Sequence, residues 1–78
     1  MVYPIVMKTQ EDVIRVNEIA SRQMFDLFLS TVNGPYISVD AKSLLAMFSL
    51  IGREVYLVAP DDLNPKYFSK LIKRMKLS

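Results

Sequence analysis

The segment from Ile37 to Gly52 constrains the fold most, because its hydrophobic period changes in the middle. Ile37 and Val39 alternate with polar residues, as in a β-strand that is buried on one face. After Ser43, large apolar residues recur every three or four positions, as in a short helix. The segment therefore predicts a strand that leads into a helix. The Ser43 hydroxyl is expected to cap the first turn, and Gly52 is expected to end the helix.

This short helix carries apolar side chains on two sides. At about 100° per residue, Leu44, Leu45 and Phe48 share one side of the helix, whereas Met47 and Leu50 lie nearly opposite them. One side is expected to enter the core. The other side must then be covered or remain as an exposed apolar patch, which in a small domain usually marks a contact surface.

The rest of the chain alternates between the same two periods. Strands are predicted at Val2–Lys8, Phe25–Val32 and Arg53–Ala59, and helices at Thr9–Met24 and Asn64–Met75. Together with the segment described above, these elements give the order βαββαβα. The sequence therefore predicts an α+β fold in which residues 1–78 form a single domain.

Local signals support these boundaries. Thr9 and Asp12 have the spacing of a capping box, in which each side chain bonds the other residue's free N–H group. The apolar face of the helix that follows is predicted to contain Val13, Val16, Ile19, Ala20 and Met24.

Proline, glycine and asparagine residues indicate an edge strand, a hairpin and the start of the last helix. Pro4 lacks an N–H group, which favours an edge strand for the first strand. Asn33 and Gly34 indicate a hairpin, so the second and third strands should pair antiparallel. Asn64 followed by Pro65 is typical of a helix start.

Composition narrows the class of protein. The chain is 51% apolar and has no cysteine, which excludes disulfides and thiolate metal sites. It has no secretory leader and no apolar run near the length of a membrane span, so we expect a cytoplasmic protein without a membrane segment.

Charge gives little support for a nucleic-acid partner, because the net charge is only +2. The last helix nevertheless has a basic side, which we interpret as a solvated face that also suits the helix C-terminus. No aromatic residues interleave with its cations, which weakens an RNA interpretation further. These cations are Lys66, Lys70, Lys73, Arg74 and Lys76.

Groups that commonly carry catalysis are absent or isolated. The chain has no histidine, and its two glycines do not form a nucleotide-binding fingerprint. The carboxylate pairs Glu11–Asp12 and Asp61–Asp62 fall at a helix start and a turn, where acceptors are expected anyway. We therefore expect no catalytic residue, no metal site and no cofactor.

The string from Val39 to Leu50, VDAKSLLAMFSL, resembles the regulatory-serine region of HPr, the phosphocarrier of the bacterial sugar phosphotransferase system. That pattern runs Val-Asn/Asp-Ala/Leu-Lys-Ser-Ile/Leu-Met/Leu-Gly/Ala-hydrophobic-Met-Ser-Leu. The resemblance implies an HPr-like open-faced β-sandwich, a four-stranded antiparallel sheet with helices on one face. From element order alone, a ferredoxin-like split βαβ fold is the alternative.

The chain departs from the HPr pattern at the phosphate-carrying residue. HPr proteins carry phosphate on a histidine within a Gly-hydrophobic-His-Ala-Arg-Pro-Ala motif after the first strand. Here the corresponding region, Lys8–Arg15, reads KTQEDVIR. The resemblance therefore implies an HPr-like protein that cannot relay phosphate through histidine.

The resemblance also implies roles for individual residues. Ser43 matches the serine that a dedicated HPr kinase phosphorylates, and Lys42, Leu44, Leu45 and Phe48 match the surface that contacts phosphotransferase-system enzymes and regulators. Two alternatives remain open: Ser43 acts only as a helix cap, or the apolar residues complete the core. A binding module for protein or nucleic acid, unrelated to sugar transport, is the alternative function.

Overall fold

A computed structural model describes Met1–Ser78 and contains one four-stranded sheet. The strands are β1 (Val2–Val6), β2 (Phe28–Thr31), β3 (Ser38–Asp40) and β4 (Glu54–Val58), in the spatial order β1-β4-β2-β3. Every neighbouring pair is antiparallel. The sheet thus has β1 and β3 at its edges, and β2 and β3 pair as the hairpin signal predicted.

Three α-helices lie on one face of this sheet and leave the other face open. They are α1 (Gln10–Ser21), α2 (Leu44–Met47) and α3 (Pro65–Met75), and a 3-10 turn, Phe48–Leu50, extends α2. This confirms the predicted βαββαβα order and the α+β open-faced sandwich. The ferredoxin-like alternative places its first strand inside the sheet, whereas β1 lies at an edge.

The core lies between the sheet and the helices. In β4, Val55 and Leu57 are fully buried, while Tyr56 between them is exposed, as expected for a strand covered on one side. The buried helical residues come from all three helices: Val13, Val16, Ile19, Ala20, Met47, Leu50, Phe68, Leu71 and Met75.

The backbone pairing of β1 explains why Pro4 is tolerated. Met1 N donates to Ala59 O at 3.1 Å, and Ala59 N donates to Met1 O at 2.8 Å. Because bonded and non-bonded pairs alternate along an antiparallel ladder, Val2, Pro4 and Val6 direct their backbone polar groups away from β4. The missing N–H group of Pro4 therefore removes no bond from the ladder, and the predicted edge position is confirmed.

Helix α1 ends earlier than predicted. Its last residue is Ser21, and the side chain of Gln23 folds back so that its amide donates to Ile19 O at 2.8 Å. This bond and the backbone turn beside it satisfy the final carbonyl groups. Met24 is consequently outside the helix and fully exposed, so its assignment to the apolar face was wrong. The following strand begins at Phe28 rather than Phe25.

The capping box forms only in part. Thr9 Oγ1 accepts a hydrogen bond from Asp12 N at 3.1 Å, as predicted. The reciprocal bond from Thr9 N to the Asp12 carboxylate is not made. The carboxylate is fully buried and instead accepts bonds from Lys8 N at 2.9 Å, Ser78 Oγ at 3.0 Å and Ser78 N at 3.2 Å. Asp12 therefore joins the segment after β1, the start of α1 and the segment after α3.

Arg15, one turn further along α1, completes this junction. Its Nη1 donates to Met75 O at 2.9 Å and to Lys76 O at 2.7 Å, and lies 3.4 Å from Asp12 Oδ1. The two carbonyl groups lie at the C-terminal end of α3, where helix carbonyls lack partners within the helix. Arg15 thus closes α3 and holds it against α1.

The environment of Asp12 keeps its carboxylate ionised. Burial by itself raises the pKa of Asp12, but the hydrogen bonds from Lys8 N–H, the Ser78 hydroxyl and the Ser78 N–H together lower the pKa below its usual value of 3.8. A carboxylate whose pKa is lowered by folding stabilises the protein above its unfolded-state pKa. That stabilisation is lost as the pH falls through the folded-state pKa.

We expect Asp12→Asn to reduce the free energy of unfolding at pH 7 by about 2 kcal/mol, because an amide cannot accept all of these bonds. Urea unfolding at pH 7 and pH 3 measures this, and the difference between variant and wild type should shrink at the lower pH. Asp62→Asn, an exposed carboxylate without partners, is the matched control. Equal stabilities of Asp12→Asn and wild type at pH 7 would contradict the assigned role.

Candidate functional site

The turn that connects β3 to α2 is fixed by backbone and side-chain bonds. Asp40 Oδ1 accepts from Lys42 N at 2.9 Å, and Asp40 O accepts from Ser43 N at 2.9 Å. Ala41, which is buried, donates to Leu27 O at 2.8 Å and accepts from Asn17 Nδ2 at 3.0 Å. Because α1 and the residue just before β2 both hold this turn, the position of Ser43 relative to the core is well defined.

The helix that follows has only four α-helical residues before it tightens into a 3-10 turn. Gly52 ends it with φ +81°, a left-handed conformation that glycine adopts without a steric penalty. Gly52 N then donates to Met7 O at 2.8 Å, which ties the end of the element to β1. The predicted stop at Gly52 is therefore confirmed.

The two apolar sides of α2 have different environments. Met47 and Leu50 are fully buried, so this side enters the core. On the other side, Leu44 and Phe48 are half-buried against the core, whereas Leu45 is 84% exposed. Both alternatives from the sequence thus hold in part: Leu44 and Phe48 contribute to the core, and Leu45 belongs to the surface.

Ser43 occupies the N-cap position of α2, but its hydroxyl makes no capping bond, so that prediction was wrong. The reason lies in its backbone conformation. Thr9, which does cap α1, has ψ 166°, whereas Ser43 has ψ 90°, and this rotation turns the first helical N–H groups away from the hydroxyl. The Ser43 side chain is therefore exposed and free of hydrogen bonds to the rest of the chain.

Lys42 lies beside this hydroxyl and has a partner on the surface. Its Nζ is 3.3 Å from Asp26 Oδ1, and the side chains are 35% and 61% exposed. A pair this exposed contributes less than about 1 kcal/mol to stability. Lys42 is consequently available to a new anion near Ser43 at little energetic cost.

The segment Lys8–Arg15 serves the packing of the helices. Lys8 follows β1, and Asp12 and Arg15 form the junction with α3 described above. The other carboxylate pair lies in the exposed turn before α3, where Asp61 Oδ1 is 2.9 Å from Met1 N.

No cluster of three or more histidine, cysteine, aspartate or glutamate side chains is placed to hold a metal ion. None of the helices is long and apolar enough to cross a bilayer.

The open face of the sheet is an apolar surface that the sequence analysis did not identify. Val58 lies between Val2 and Phe28 in neighbouring strands, and Tyr56 lies next to Pro4. Val2 is 61% exposed and Phe28 is 39% exposed. The signal was present, because the outward positions of these alternating strands are mostly apolar: Val2, Pro4, Val6, Phe28, Val32, Tyr56 and Val58.

The predicted site residues therefore meet on one surface at the start of α2. We call Lys42, Ser43, Leu44, Leu45 and Phe48 the α2 surface. It combines an unbonded hydroxyl, a weakly paired ammonium group and an exposed leucine, and it contains no base or second nucleophile next to the hydroxyl.

Searches of family models, curated proteins and solved structures found no match to this chain.

The exposures within α2 give a direct test of this surface. We expect Leu45→Ala to change the free energy of unfolding by less than about 0.5 kcal/mol, because the side chain contacts mainly solvent. Met47→Ala, the matched change two residues away, should cost about 2–5 kcal/mol, because it leaves a cavity in the core. Chemical denaturation measures both values. Equal losses would place Leu45 in the core and remove it from the surface.

Proposed function

We propose that this chain is an HPr-like protein, related to the bacterial phosphoenolpyruvate-dependent sugar phosphotransferase system, that acts in the cytoplasm by binding other proteins. It does not relay phosphate through histidine. Its binding site is the α2 surface, and phosphorylation of Ser43 regulates it. The observation that carries this proposal is the exposed, unbonded hydroxyl of Ser43 two residues before Leu45, which is 84% exposed.

The architecture supports the proposal. The resemblance implied a four-stranded antiparallel sheet with helices on one face, and this chain has that arrangement. The residues that resemble the HPr regulatory-serine region, Val39 to Leu50, run from the end of β3 through α2 and the 3-10 turn after it. The arrangement of sheet and helices and the short motif around Ser43 thus support the same proposal.

Ser43 is suited to modification because a kinase can reach its hydroxyl without breaking any hydrogen bond of the fold. Its hydroxyl bonds to no other group, and the turn before it is held by backbone contacts that do not involve the side chain. A phosphate adds nearly two negative charges and strong hydrogen-bond acceptors. It would compete with Asp26 for the ammonium group of Lys42, which is 3.3 Å from Asp26 now.

Leu45 supplies the affinity in this scheme. Burying a leucine side chain against an apolar partner surface contributes about 1.5–3 kcal/mol, and the half-buried Leu44 and Phe48 extend the contact. A phosphate two residues away would place a strongly hydrated group at the rim of that contact. Partners with a cationic group there would bind more tightly, and apolar partners would be excluded. The proposed activity is therefore switchable binding rather than catalysis.

A second candidate is a binding module for protein or nucleic acid that has no role in sugar transport. The five basic side chains of the α3 region favour it, because none of them forms an ion pair: Lys66, Lys70, Lys73, Arg74 and Lys76. An oligonucleotide complex that weakens steeply with salt would support this candidate.

We expect ATP and an HPr kinase to add one phosphate to the wild-type protein and none to Ser43→Ala. Intact-mass spectrometry measures the product. Ser49→Ala is the matched control, since Ser49 is also exposed on this element but its hydroxyl donates to Ala46 O at 2.8 Å. The control should be modified as efficiently as the wild type.

Two outcomes would contradict the proposal. Modification of Ser43→Ala to the wild-type extent would show that another residue is the acceptor, and absence of modification in all three proteins would leave Ser43 without a kinase. Incubation with phosphoenolpyruvate and the first enzyme of the phosphotransferase system should leave the mass unchanged, because the chain has no histidine.

A further inference from the structure

A second polar site lies between α1 and α3, on residues that the α2 surface does not include. It is a cleft of about 290 Å³ between the C-terminal end of α3 and the part of α1 from Arg15 to its C-cap residue Arg22. Four of its six lining residues are cations and one is a carboxylate, which leaves a net charge of +3. We call it the basic cleft, and its lining residues are Arg15, Glu18, Ile19, Arg22, Arg74 and Lys76.

Arg15 is held in a fixed orientation at this cleft. Its Nη1 atom donates to Met75 O and Lys76 O at 2.9 and 2.7 Å, and its side chain is 35% exposed. The donors on Nη2 and Nε make no hydrogen bond within the chain. Part of the guanidinium group is thus used by the fold, while the remainder is available to a ligand without any loss of side-chain entropy.

The other cations of the cleft have weak partners or none. Arg22 Nη2 is 4.0 Å from Glu18 Oε2, and both side chains are largely exposed. Arg74 and Lys76 take part in no ion pair. Cations near the C-terminus of α3 would suit the helix dipole. Arg15 already bonds the carbonyl groups of Met75 and Lys76, however. The helix dipole alone therefore does not explain why this cleft contains three further cations.

We propose that the basic cleft binds a small soluble ligand through a phosphate group. Guanidinium groups match phosphate oxygens with paired, charge-assisted hydrogen bonds, and three of the six residues that line this cleft are arginines. Its volume of about 290 Å³ is large enough for a compact phosphorylated molecule. Glu18 faces the same space, and its carboxylate repels the ligand and competes with it for Arg22.

Inorganic pyrophosphate is the probe, and isothermal titration calorimetry of the intact protein measures its dissociation constant. We expect the double variant Arg74→Gln, Lys76→Gln to bind at least about tenfold more weakly than the wild type, because two charge-assisted contacts are lost. The double variant Lys66→Gln, Lys70→Gln removes the same charge from the same helix outside the cleft. It should change the dissociation constant by less than about threefold.

Glu18→Gln provides a test in the opposite direction. It removes the competing carboxylate and leaves the arginines in place, so we expect pyrophosphate to bind more tightly. Circular dichroism and thermal unfolding should show that all of these variants keep the fold. Arg15 is left unchanged because the closure of α3 depends on it.

Three results would overturn the proposal. Pyrophosphate that does not bind the wild type at millimolar concentration would show that the cleft is only a solvated surface. Equal losses in the two double variants would show diffuse attraction to the whole of α3. Binding to vesicles that contain phosphatidic acid, without binding of pyrophosphate, would identify a lipid headgroup as the source of the phosphate.

Discussion

The buried carboxylate of Asp12 is the interaction on which the arrangement of the helices depends. A buried charge is costly unless every acceptor position is used. Here the donors come from Lys8 in the segment after β1 and from Ser78 after α3, with Arg15 alongside. The carboxylate is therefore stable only when β1, α1 and α3 are all in place. Since α1 carries much of the core, this requirement also fixes the surface against which the sheet packs.

Arg15 connects this junction to the proposed phosphate site. Its guanidinium group closes the C-terminal end of α3 with one nitrogen and faces the basic cleft with the others. A structural residue thus provides a preorganised donor at the proposed phosphate site.

The α2 surface results from a helix that is too short to hide all of its apolar residues. Met47 and Leu50 fill the core, and the single α-helical turn leaves Leu45 in solvent. The backbone at Ser43 leaves the hydroxyl unbonded. Both features come from the tight turn after β3, which Asp40 and Asn17 hold in place. The surface and the cleft share no residue, so each can be tested while the other is unchanged.

The sequence by itself determined which segments form strands and helices and which side of α1 and of α3 enters the core. These features depend on periodicity and on capping residues such as Thr9 and Asn64, which act within a few positions. It also predicted the switch from strand to helix before Leu44, where the structure has the end of β3 and the start of α2. Element ends were less accurate, as Met24 and Phe25 show, because side chains such as Gln23 decide where a helix closes.

Only the tertiary structure decided the strand order, the partners of Asp12 and Arg15, and which leucine of α2 reaches solvent. The Asp12 carboxylate meets a residue 66 positions away, and Arg15 meets carbonyl groups 60 and 61 positions away. No local pattern encodes such contacts, because they exist only after distant segments have packed together. The exposure of Leu45 has the same origin, since it depends on how much of the short helix the sheet and α1 can cover.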